Sequence, residues 1–276
     1  MGLFDKKKKD VRMMMAEERN YILGKSTPFS VREAYNALRS NITFSALGEG
    51  CNIIAVTSTL QAEGKSINTL NMAASYADIG KKVLLIDCDL RKPKVHKLLN
   101  IKASPGFSNV LVGDCSVEDA IQHNETLNLD ILCSGDIPPV STRLLESDAL
   151  KETLDKFREK YDYVFIDTPP VNIVIDGCVL AKHTDGFIFV VKQGYALKEK
   201  IVSAVKQIEF AGGKILGFVL NDVIDKNIIS LNKYRYRYRY RYKYGKGKYG
   251  YESVKSSNEK KTDNKKQEKK EENVKA

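Results

Sequence analysis

Five short apolar runs follow one another along the chain, and none of them alternates with polar residues. They are NIIAVT (52–57), KVLLID (82–87), YVFID (163–167), GFIFVV (186–191) and ILGFVLN (215–221). A strand without polar alternation is buried on both faces, which indicates a parallel sheet covered by helices. Because helical stretches separate these runs over roughly 190 residues, the pattern predicts a doubly wound α/β domain with a mostly parallel sheet and helices on both faces.

Polar regions lie on either side of this domain and set the organisation that we predict. Residues 1–28 are irregular and are expected to form a flexible N-terminal segment, and the α/β domain covers 29–232. A tyrosine-rich cluster follows at 233–254 and a charged tail at 255–276. The tail buries too little apolar surface to offset the entropy of ordering, so we expect it to be disordered.

The net charge of +10 is confined to one end of the chain. Residues 233–276 carry 16 basic and 6 acidic side chains, whereas residues 1–232 carry 29 of each and are neutral. This distribution of charge argues against a uniformly basic nucleic-acid-binding domain. No apolar run reaches the ~20 residues of a membrane helix, and the N-terminus lacks the apolar stretch of a signal peptide. Five scattered cysteines without a CxxC pair indicate a reducing cytoplasm.

A glycine, a lysine and a serine stand between the first strand and the helix that follows it. The turn reads TSTLQAEGKSI (57–67), in which Gly64 lets the backbone approach an anion, Lys65 reaches terminal phosphates and Ser66 can hold Mg²⁺. Thr59 replaces the usual first glycine, and we expect Lys65 to be an exposed loop residue that contributes little to packing. The candidate ATP-binding residues are Gln61, Ala62, Glu63, Gly64, Lys65, Ser66 and Ile67.

Aspartates end two of the apolar runs. Asp87 and Asp89 are two residues apart and point toward the crevice where ligands of open α/β sheets bind, and Asp167 ends the FID run before two prolines. Grouped carboxylates repel one another, and a divalent cation relieves that repulsion. The pattern therefore predicts a magnesium-dependent nucleotide site.

Several segments together resemble the bacterial tyrosine kinases (BY-kinases), in particular the cytoplasmic kinases that govern capsule and exopolysaccharide synthesis in Gram-positive bacteria. They are SVREAYNALRSNITFS, TSTLQAEGKS, VLLIDCDLRKPKVHKLL, GFSNVLVGD, SGDIPP, YDYVFIDTPPV with its later DG, and the tyrosine cluster. The likeness covers about residues 28–251.

The resemblance implies a role for each site residue. Lys65 and Ser66 would contact the nucleotide and Mg²⁺, and Asp89 and Asp167 would complete the metal shell with Ser66. Asp87 would orient or deprotonate the acceptor tyrosine, so Lys65 and Asp87 are the catalytic candidates. Phosphoryl transfer requires mainly positioning and charge neutralisation, which such a set supplies.

The resemblance also implies partners and a location. The partners are other copies of the chain in a homo-oligomer of the unphosphorylated form, a membrane activator similar to chain-length determinants, other proteins with target tyrosines and a cognate phosphotyrosine phosphatase. No specific nucleic acid is implied. The kinase would be cytoplasmic and peripheral at the inner face of the cell membrane, held there by the activator.

Two positions depart from the family pattern. The family's Glu-x-x-Arg-x-x-Arg oligomerisation motif appears as Glu33, Asn36 and Arg39, so the interface formed by Glu33 and Arg39 is expected to be weaker. Ala62 stands where the family often has glycine, which is tolerable if its backbone φ is not positive. The motif lies on a predicted helix that Ser30 could cap, with one side formed by Val31, Ala34, Ala37, Leu38 and Ile42.

The Arg/Tyr alternation near the C-terminus has four interpretations: a β-strand, a nucleic-acid-binding segment, a solvated low-complexity tail, or a substrate of the chain's own kinase domain. A strand would place like charges in a ladder, and aromatic stacking with phosphate contacts fits nucleic acid. The ATP-site motifs and the resemblance favour autophosphorylation in trans. The target tyrosines are then Tyr234, Tyr236, Tyr238, Tyr240, Tyr242, Tyr244, Tyr249 and Tyr251.

Two other functions remain open at this point. A positioning ATPase of the ParA/MinD type shares the expected fold and aspartates, but it uses an extra lysine five residues before Lys65, where this chain has Leu60. A non-enzymatic nucleic-acid-binding protein would rely on the Tyr/Arg tail alone. Phosphotyrosine formed with Mg-ATP would distinguish the kinase from both.

Overall fold

A seven-stranded sheet forms the centre of the computed structural model, which describes residues 17–45 and 52–223. Across the sheet the strands have the order β3-β4-β2-β5-β1-β6-β7, and every neighbouring pair except β3–β4 is parallel. The predicted α/β fold with a mostly parallel sheet is confirmed. The strands are β1 (Asn52–Ser58), β2 (Val83–Asp87), β3 (Ile121–Asn124), β4 (Leu129–Leu132), β5 (Tyr163–Asp167), β6 (Gly186–Lys192) and β7 (Ile215–Asn221).

Helices connect the strands and cover both faces of the sheet. They are α1 (Phe29–Ser45), α2 (Lys65–Ala77), α3 (Val95–Leu99), α4 (Phe107–Val112), α5 (Val117–Ala120), α6 (Ser141–Leu145), α7 (Asp148–Lys160), α8 (Asp176–Leu180) and α9 (Lys198–Phe210), with a 3₁₀ turn at Ala181–His183. Alternate residues of β1 enter opposite cores, because Ile54 and Val56 pack on the α1–α2 side whereas Ile53 packs with α4 and α7. This double burial explains why β1 has no polar alternation.

The five apolar runs coincide with β1, β2, β5, β6 and β7, and their ends differ from the prediction by at most one residue. The pattern did not predict β3 and β4. Both are only four residues long, and β3 is a half-exposed antiparallel edge strand with the sequence IQHN. Such a strand has neither an apolar run nor a clear alternation that could identify it.

The helix predicted from Ser30 exists, but only part of its predicted side faces the core. It begins at Phe29, so Ser30 lies inside the helix and does not cap it, and Val31 and Ala34 are exposed. Leu38 and Ile42 face the core as predicted, and Tyr35 faces it with them. The shift arises because α1 packs on α2, where Tyr35 and Arg39 find polar partners that a purely apolar pattern omits.

Residues 17–28, which the sequence predicts to be part of a flexible segment, contact α2 and α3. The Arg19 guanidinium donates to the Lys97 carbonyl at 2.7 Å. Asn71 binds this segment twice, because its Oδ1 accepts from the Leu23 N–H at 2.9 Å and its Nδ2 donates to the Tyr21 carbonyl at 2.8 Å. These contacts attach residues 17–28 to the helical layer beside the nucleotide loop.

No helix within residues 17–45 and 52–223 is long and apolar enough to cross a membrane. The tyrosine cluster at 233–254 and the tail at 255–276 lie outside the described residues.

Candidate functional site

The loop between β1 and α2 is held in a conformation that requires glycine at its end. Gly64 has φ +86° and is the N-cap of α2, and a Cβ there would collide with the side-chain amide of Asn221 at the end of β7. The first N–H groups of α2 have no helical acceptor and therefore form, with the helix dipole, a cradle for an anion. The loop has the geometry that the GKS sequence predicts.

Ala62 adopts a left-handed backbone with φ +63°. The condition under which alanine would be tolerated here without strain, a φ that is not positive, is therefore not met. A left-handed conformation costs a non-glycine residue about 1–2 kcal/mol, so the loop stores this strain and the surrounding contacts must maintain it.

Glu63 is buried and stabilises the loop from within. Its Oε2 accepts from the Leu60 N–H at 2.7 Å, and its Oε1 accepts from the N–H of Lys192, at the end of β6, at 3.3 Å. Asn221 Nδ2 donates to the Glu63 carbonyl at 2.9 Å. Sequence reasoning placed Glu63 among the ATP-binding residues but missed Lys192 and Asn221, for which the only sequence signal is their place at the carboxyl ends of predicted strands.

Lys65 is buried, so the prediction of an exposed loop lysine is wrong. Its ammonium lies 2.6 Å from Asp167 Oδ1, 3.3 Å from Ser66 Oγ and 3.9 Å from Asp89 Oδ2. Burial alone would lower the pKa of Lys65, but the charges of Asp167 and Asp89 outweigh burial and raise that pKa. The lysine is therefore a fixed positive charge among the predicted metal and catalytic carboxylates.

Asp87 and Asp167 are fully buried and resist ionisation. Burial, reinforced by the charge of Asp167, raises the pKa of Asp87 to about 7, although backbone N–H groups of Lys94 and Val95 donate to its carboxylate at 3.1 and 3.0 Å. Burial also raises the pKa of Asp167, and Lys65 opposes that rise. The sheet enforces this proximity because Asp87 and Asp167 are register partners on neighbouring strands β2 and β5.

The donor set fits a divalent cation together with a phosphate. Asp167 Oδ2 is buried and has no hydrogen-bond partner, so one carboxylate oxygen remains available for a cation. Within the described ranges, no three His, Cys, Asp or Glu side chains converge closely enough to enclose a metal ion by themselves. Mg²⁺ commonly takes one or two carboxylates and completes its shell with phosphates and water, and Asp89, Asp167 and Ser66 suit that role.

An arginine at the rim of the site escaped the sequence reasoning. Arg91 Nε and Nη2 donate to the carboxylate of Asp176, a fully buried residue of α8, at 3.1 and 3.2 Å. Ser141 and Thr142 of α6 donate to the same carboxylate at 3.2 and 3.1 Å. Asp176 thus fixes the guanidinium of Arg91, which lies two residues after Asp89 in the chain. The only sequence signal for this pair is that both residues fall within the family-like segments, Arg91 in VLLIDCDLRKPKVHKLL and Asp176 in the DG that follows YDYVFIDTPPV.

The residues of the predicted oligomer interface have partners within their own chain. Glu33 accepts from Asn36 Nδ2 at 2.8 Å on α1. Arg39 donates to the Ser75 carbonyl on α2. Self-association through Glu33 and Arg39 stays a prediction, and the eight tail tyrosines lie outside the described residues.

Comparison with known proteins gives a consistent set of relatives. The family model described as an AAA domain matches residues 51–214, which is more than half of the chain. The tyrosine-protein kinase YwqD of Bacillus subtilis is 38% identical over 189 residues, covering 68% of this chain and 80% of the relative. The structure of the chimerical protein CapA2B2 is 36% identical, has a TM-score of 0.67 and covers 72% of this chain and 86% of its own. The kinase domain of the Escherichia coli tyrosine kinase ETK is 28% identical, with a TM-score of 0.69 and 81% coverage of both chains.

A positioning protein shares the fold at lower similarity. The septum site-determining protein MinD of Pyrococcus horikoshii, solved with Mg-ADP, is 26% identical, has a TM-score of 0.53 and covers 62% of this chain and 70% of its own. The fold alone therefore does not distinguish a tyrosine kinase from a septum site-determining protein.

Proposed function

The chain belongs to the bacterial tyrosine-protein kinases and is a protein-tyrosine kinase, and on that premise we propose that it uses Mg-ATP to phosphorylate the C-terminal tyrosines of a neighbouring copy. We propose further that this reaction regulates the synthesis and export of a capsular or extracellular polysaccharide.

The observation that carries the proposal is the position of Lys65 between Asp167, at the end of β5, and Asp89, two residues after the end of β2. The ammonium contacts Asp167 at 2.6 Å and lies 3.9 Å from Asp89, directly at the N-terminus of α2. Positive charge, free amides and carboxylates for a cation therefore meet at one edge of the sheet, as transfer of a phosphoryl group requires.

The residues divide into three tasks. The backbone of residues 61–67 would hold the phosphates, and Ser66, Asp89 and Asp167 would hold Mg²⁺, which supplies charge neutralisation when bound. Asp87 would orient the acceptor hydroxyl or take its proton. A pKa of about 7 suits that last task because a base works best when its pKa is near the operating pH.

The tail supplies a reason for reversible assembly. Residues 233–276 carry a charge of +10, and each phosphotyrosine adds about −1.5 to −2. Modification of most of the eight tyrosines would therefore neutralise or invert the charge of the tail. We propose that the unphosphorylated chains associate through the α1 residues Glu33 and Arg39, and that phosphorylated tails dock poorly beside ATP and the aspartates.

A mixing experiment tests the reaction between copies. One protein is the full chain with Lys65→Met, which cannot catalyse, and the other is active but ends at Asn232, so it has no target cluster. Phosphotyrosine on the Lys65→Met chain supports transfer between copies. If no mixture of the two becomes modified while the intact chain modifies itself at every dilution, the reaction occurs within one chain.

A positioning ATPase is the second candidate, because MinD shares the fold and was solved with Mg-ADP. Leu60 stands where that class has its additional lysine, and the Leu60 N–H binds Glu63 within the loop. Hydrolysis of ATP without phosphotyrosine would favour the ATPase. A complex with nucleic acid that weakens steeply with salt and ignores ATP would favour the third reading, in which the Tyr/Arg tail binds nucleic acid.

Partners and location follow from family membership and belong to the same proposal. We propose a membrane activator similar to chain-length determinants, further protein substrates and a cognate phosphatase, with the kinase at the inner face of the membrane. Addition of the activator's cytoplasmic segment to the Mg-ATP assay tests the first of these. An unchanged rate of phosphotyrosine formation would count against the activator.

A further inference from the structure

The carbonyl of Gly64, at the end of the phosphate-binding loop, accepts two hydrogen bonds from the same residue of α2. The Asn68 N–H donates to it at 3.1 Å and the Asn68 side-chain Nδ2 donates at 2.9 Å. The Oδ1 of the same amide accepts from the Tyr35 hydroxyl of α1 at 2.9 Å. The conformation at Gly64 is thus connected to a side chain of another helix.

The chain of hydrogen bonds continues beyond Tyr35 to the segment before α1. The Tyr35 hydroxyl accepts from Asn71 Nδ2 at 3.1 Å. Asn71 also binds the Tyr21 carbonyl and the Leu23 N–H. The side chains along this path each accept one hydrogen bond and donate the next. The hydrogen bonds therefore run in a single donor-to-acceptor direction from the Leu23 N–H to the Gly64 carbonyl.

Burial makes these bonds difficult to replace. Asn68 and Asn71 are 4% and 1% exposed, so water cannot readily satisfy an amide that loses its partner. Asparagine is also a weaker helix former than alanine. Two buried asparagines inside α2 therefore lower the stability of the fold unless their side-chain hydrogen bonds offset this cost.

The geometry of one peptide bond links this path to the nucleotide. In a trans peptide the C=O and the following N–H point in opposite directions. Two donors that hold the Gly64 carbonyl therefore also direct the Lys65 N–H toward the N-terminal end of α2, where an anion binds. If the Lys65 N–H points away from this direction, its hydrogen bond to a phosphate weakens, although every charged group of the site is still present.

We propose that Asn68 and Tyr35 are positioning residues of the phosphate-binding loop. They fix the direction of the Lys65 amide, and through them the placement of α1 and of residues 17–28 affects nucleotide affinity without contact with the nucleotide. This inference rests on the proposed function, because it concerns how the kinase holds Mg-ATP.

The test removes one hydroxyl from each of two tyrosines at the same interface between α1 and α2. Tyr35→Phe breaks the path to the loop. Tyr76→Phe is the matched control, because the buried Tyr76 hydroxyl also binds α1, at Thr43 and the Arg39 carbonyl, but lies about two turns further along α2 than Asn68. Mg-ADP affinity is measured by calorimetry on the full chain, beside the melting temperature without nucleotide and the KM and kcat for ATP.

We expect Tyr35→Phe to weaken Mg-ADP binding roughly 3–10-fold and to raise the KM for ATP by a similar factor with little change in kcat. Tyr76→Phe should lower the melting temperature but leave the affinity within about twofold. Asn68→Ala should weaken Mg-ADP binding at least as much as Tyr35→Phe, although alanine favours the helix.

Wild-type affinity in Tyr35→Phe, or an equal loss of affinity in both tyrosine variants, would overturn the inference and leave the proposed function intact. Failure of the wild-type chain to bind Mg-ADP would instead overturn the proposed function, and this inference with it.

Discussion

Replacement of Lys65 by methionine should abolish phosphotyrosine formation and also destabilise the fold in a way that depends on pH. The lysine pairs at 2.6 Å with Asp167, whose side chain is fully buried, and the uncharged thioether of methionine cannot replace the ammonium. Loss of a charge-assisted contact to the transferring group costs at least about 10²-fold in rate. Removal of one partner from a buried ion pair costs about 3–5 kcal/mol, because the other charge is left without compensation.

Protonation of the Asp167 carboxylate limits this loss of stability, because a neutral carboxyl needs no counter-charge. The stability of Lys65→Met therefore depends on pH. Burial already raises the pKa of Asp167 and Asp87 in the folded chain, and loss of Lys65 raises both further. The folded state of Lys65→Met therefore keeps protons that the unfolded chain has lost. Its stability should increase as the pH falls through the raised pKa values, by about 1.4 kcal/mol per pH unit for each such proton, until the unfolded carboxylates titrate near about 3.9.

The measurement is urea unfolding of the wild-type chain and of Lys65→Met at pH 8 and pH 6, without nucleotide or divalent metal. We expect the free energy of unfolding of Lys65→Met to be about 3 kcal/mol lower than that of the wild-type chain at pH 8, and this difference to become clearly smaller at pH 6. The double variant Lys65→Met/Asp167→Asn is the matched control, because it removes the unpaired charge and should regain most of the stability while staying inactive. An equal loss of unfolding free energy at both pH values would refute the argument from a buried unpaired charge. Near-normal phosphotyrosine formation in Lys65→Met would refute the assignment of Lys65 to the active site.

Four further substitutions test the remaining parts of the site. Asp87→Asn should lower kcat more than ATP affinity, whereas Asp89→Asn should weaken Mg²⁺-dependent ATP binding as well; calorimetry with and without Mg²⁺ checks this division, and equal losses of affinity would contradict it. Ala62→Gly should relieve the left-handed strain and raise the free energy of unfolding by up to about 1 kcal/mol, after the entropy of glycine in the unfolded chain is subtracted; a loss of stability on urea unfolding would count against strain at that position. Gly64→Ala should abolish Mg-ADP binding, because its Cβ would collide with Asn221 and its φ is +86°; unchanged affinity would show that the loop adjusts.

Local sequence patterns identified the parts of the molecule whose structure is determined by residues close together in the chain. The central strands were predictable because burial on both faces leaves uninterrupted apolar runs, as in β1 and β6. The GKS turn was predictable because an anion-binding helix N-terminus needs glycine at a particular backbone conformation. The edge strand β3 was not, because half-exposed IQHN has no distinguishing pattern.

Contacts between distant residues required the tertiary structure, since their partners are far apart in the chain. Burial of Lys65 depends on Asp167, and the strain at Ala62 is maintained by a loop that Glu63 and Asn221 hold in place. No local pattern reports that Tyr35 donates to Asn68.

The amino-acid sequence alone was sufficient for the fold class, the succession of the central strands along the chain and the identity of the charged groups that meet at one sheet edge. Hydrophobic periodicity and turn chemistry act over a few residues, and parallel strands bring their carboxyl ends together whatever the details of packing. Only the folded molecule decided which of these groups are buried, which pKa values rise and which side chains connect α1 to the phosphate loop. Those properties depend on desolvation and on distances of a few ångströms between segments separated by tens of residues, and folding alone brings these segments together.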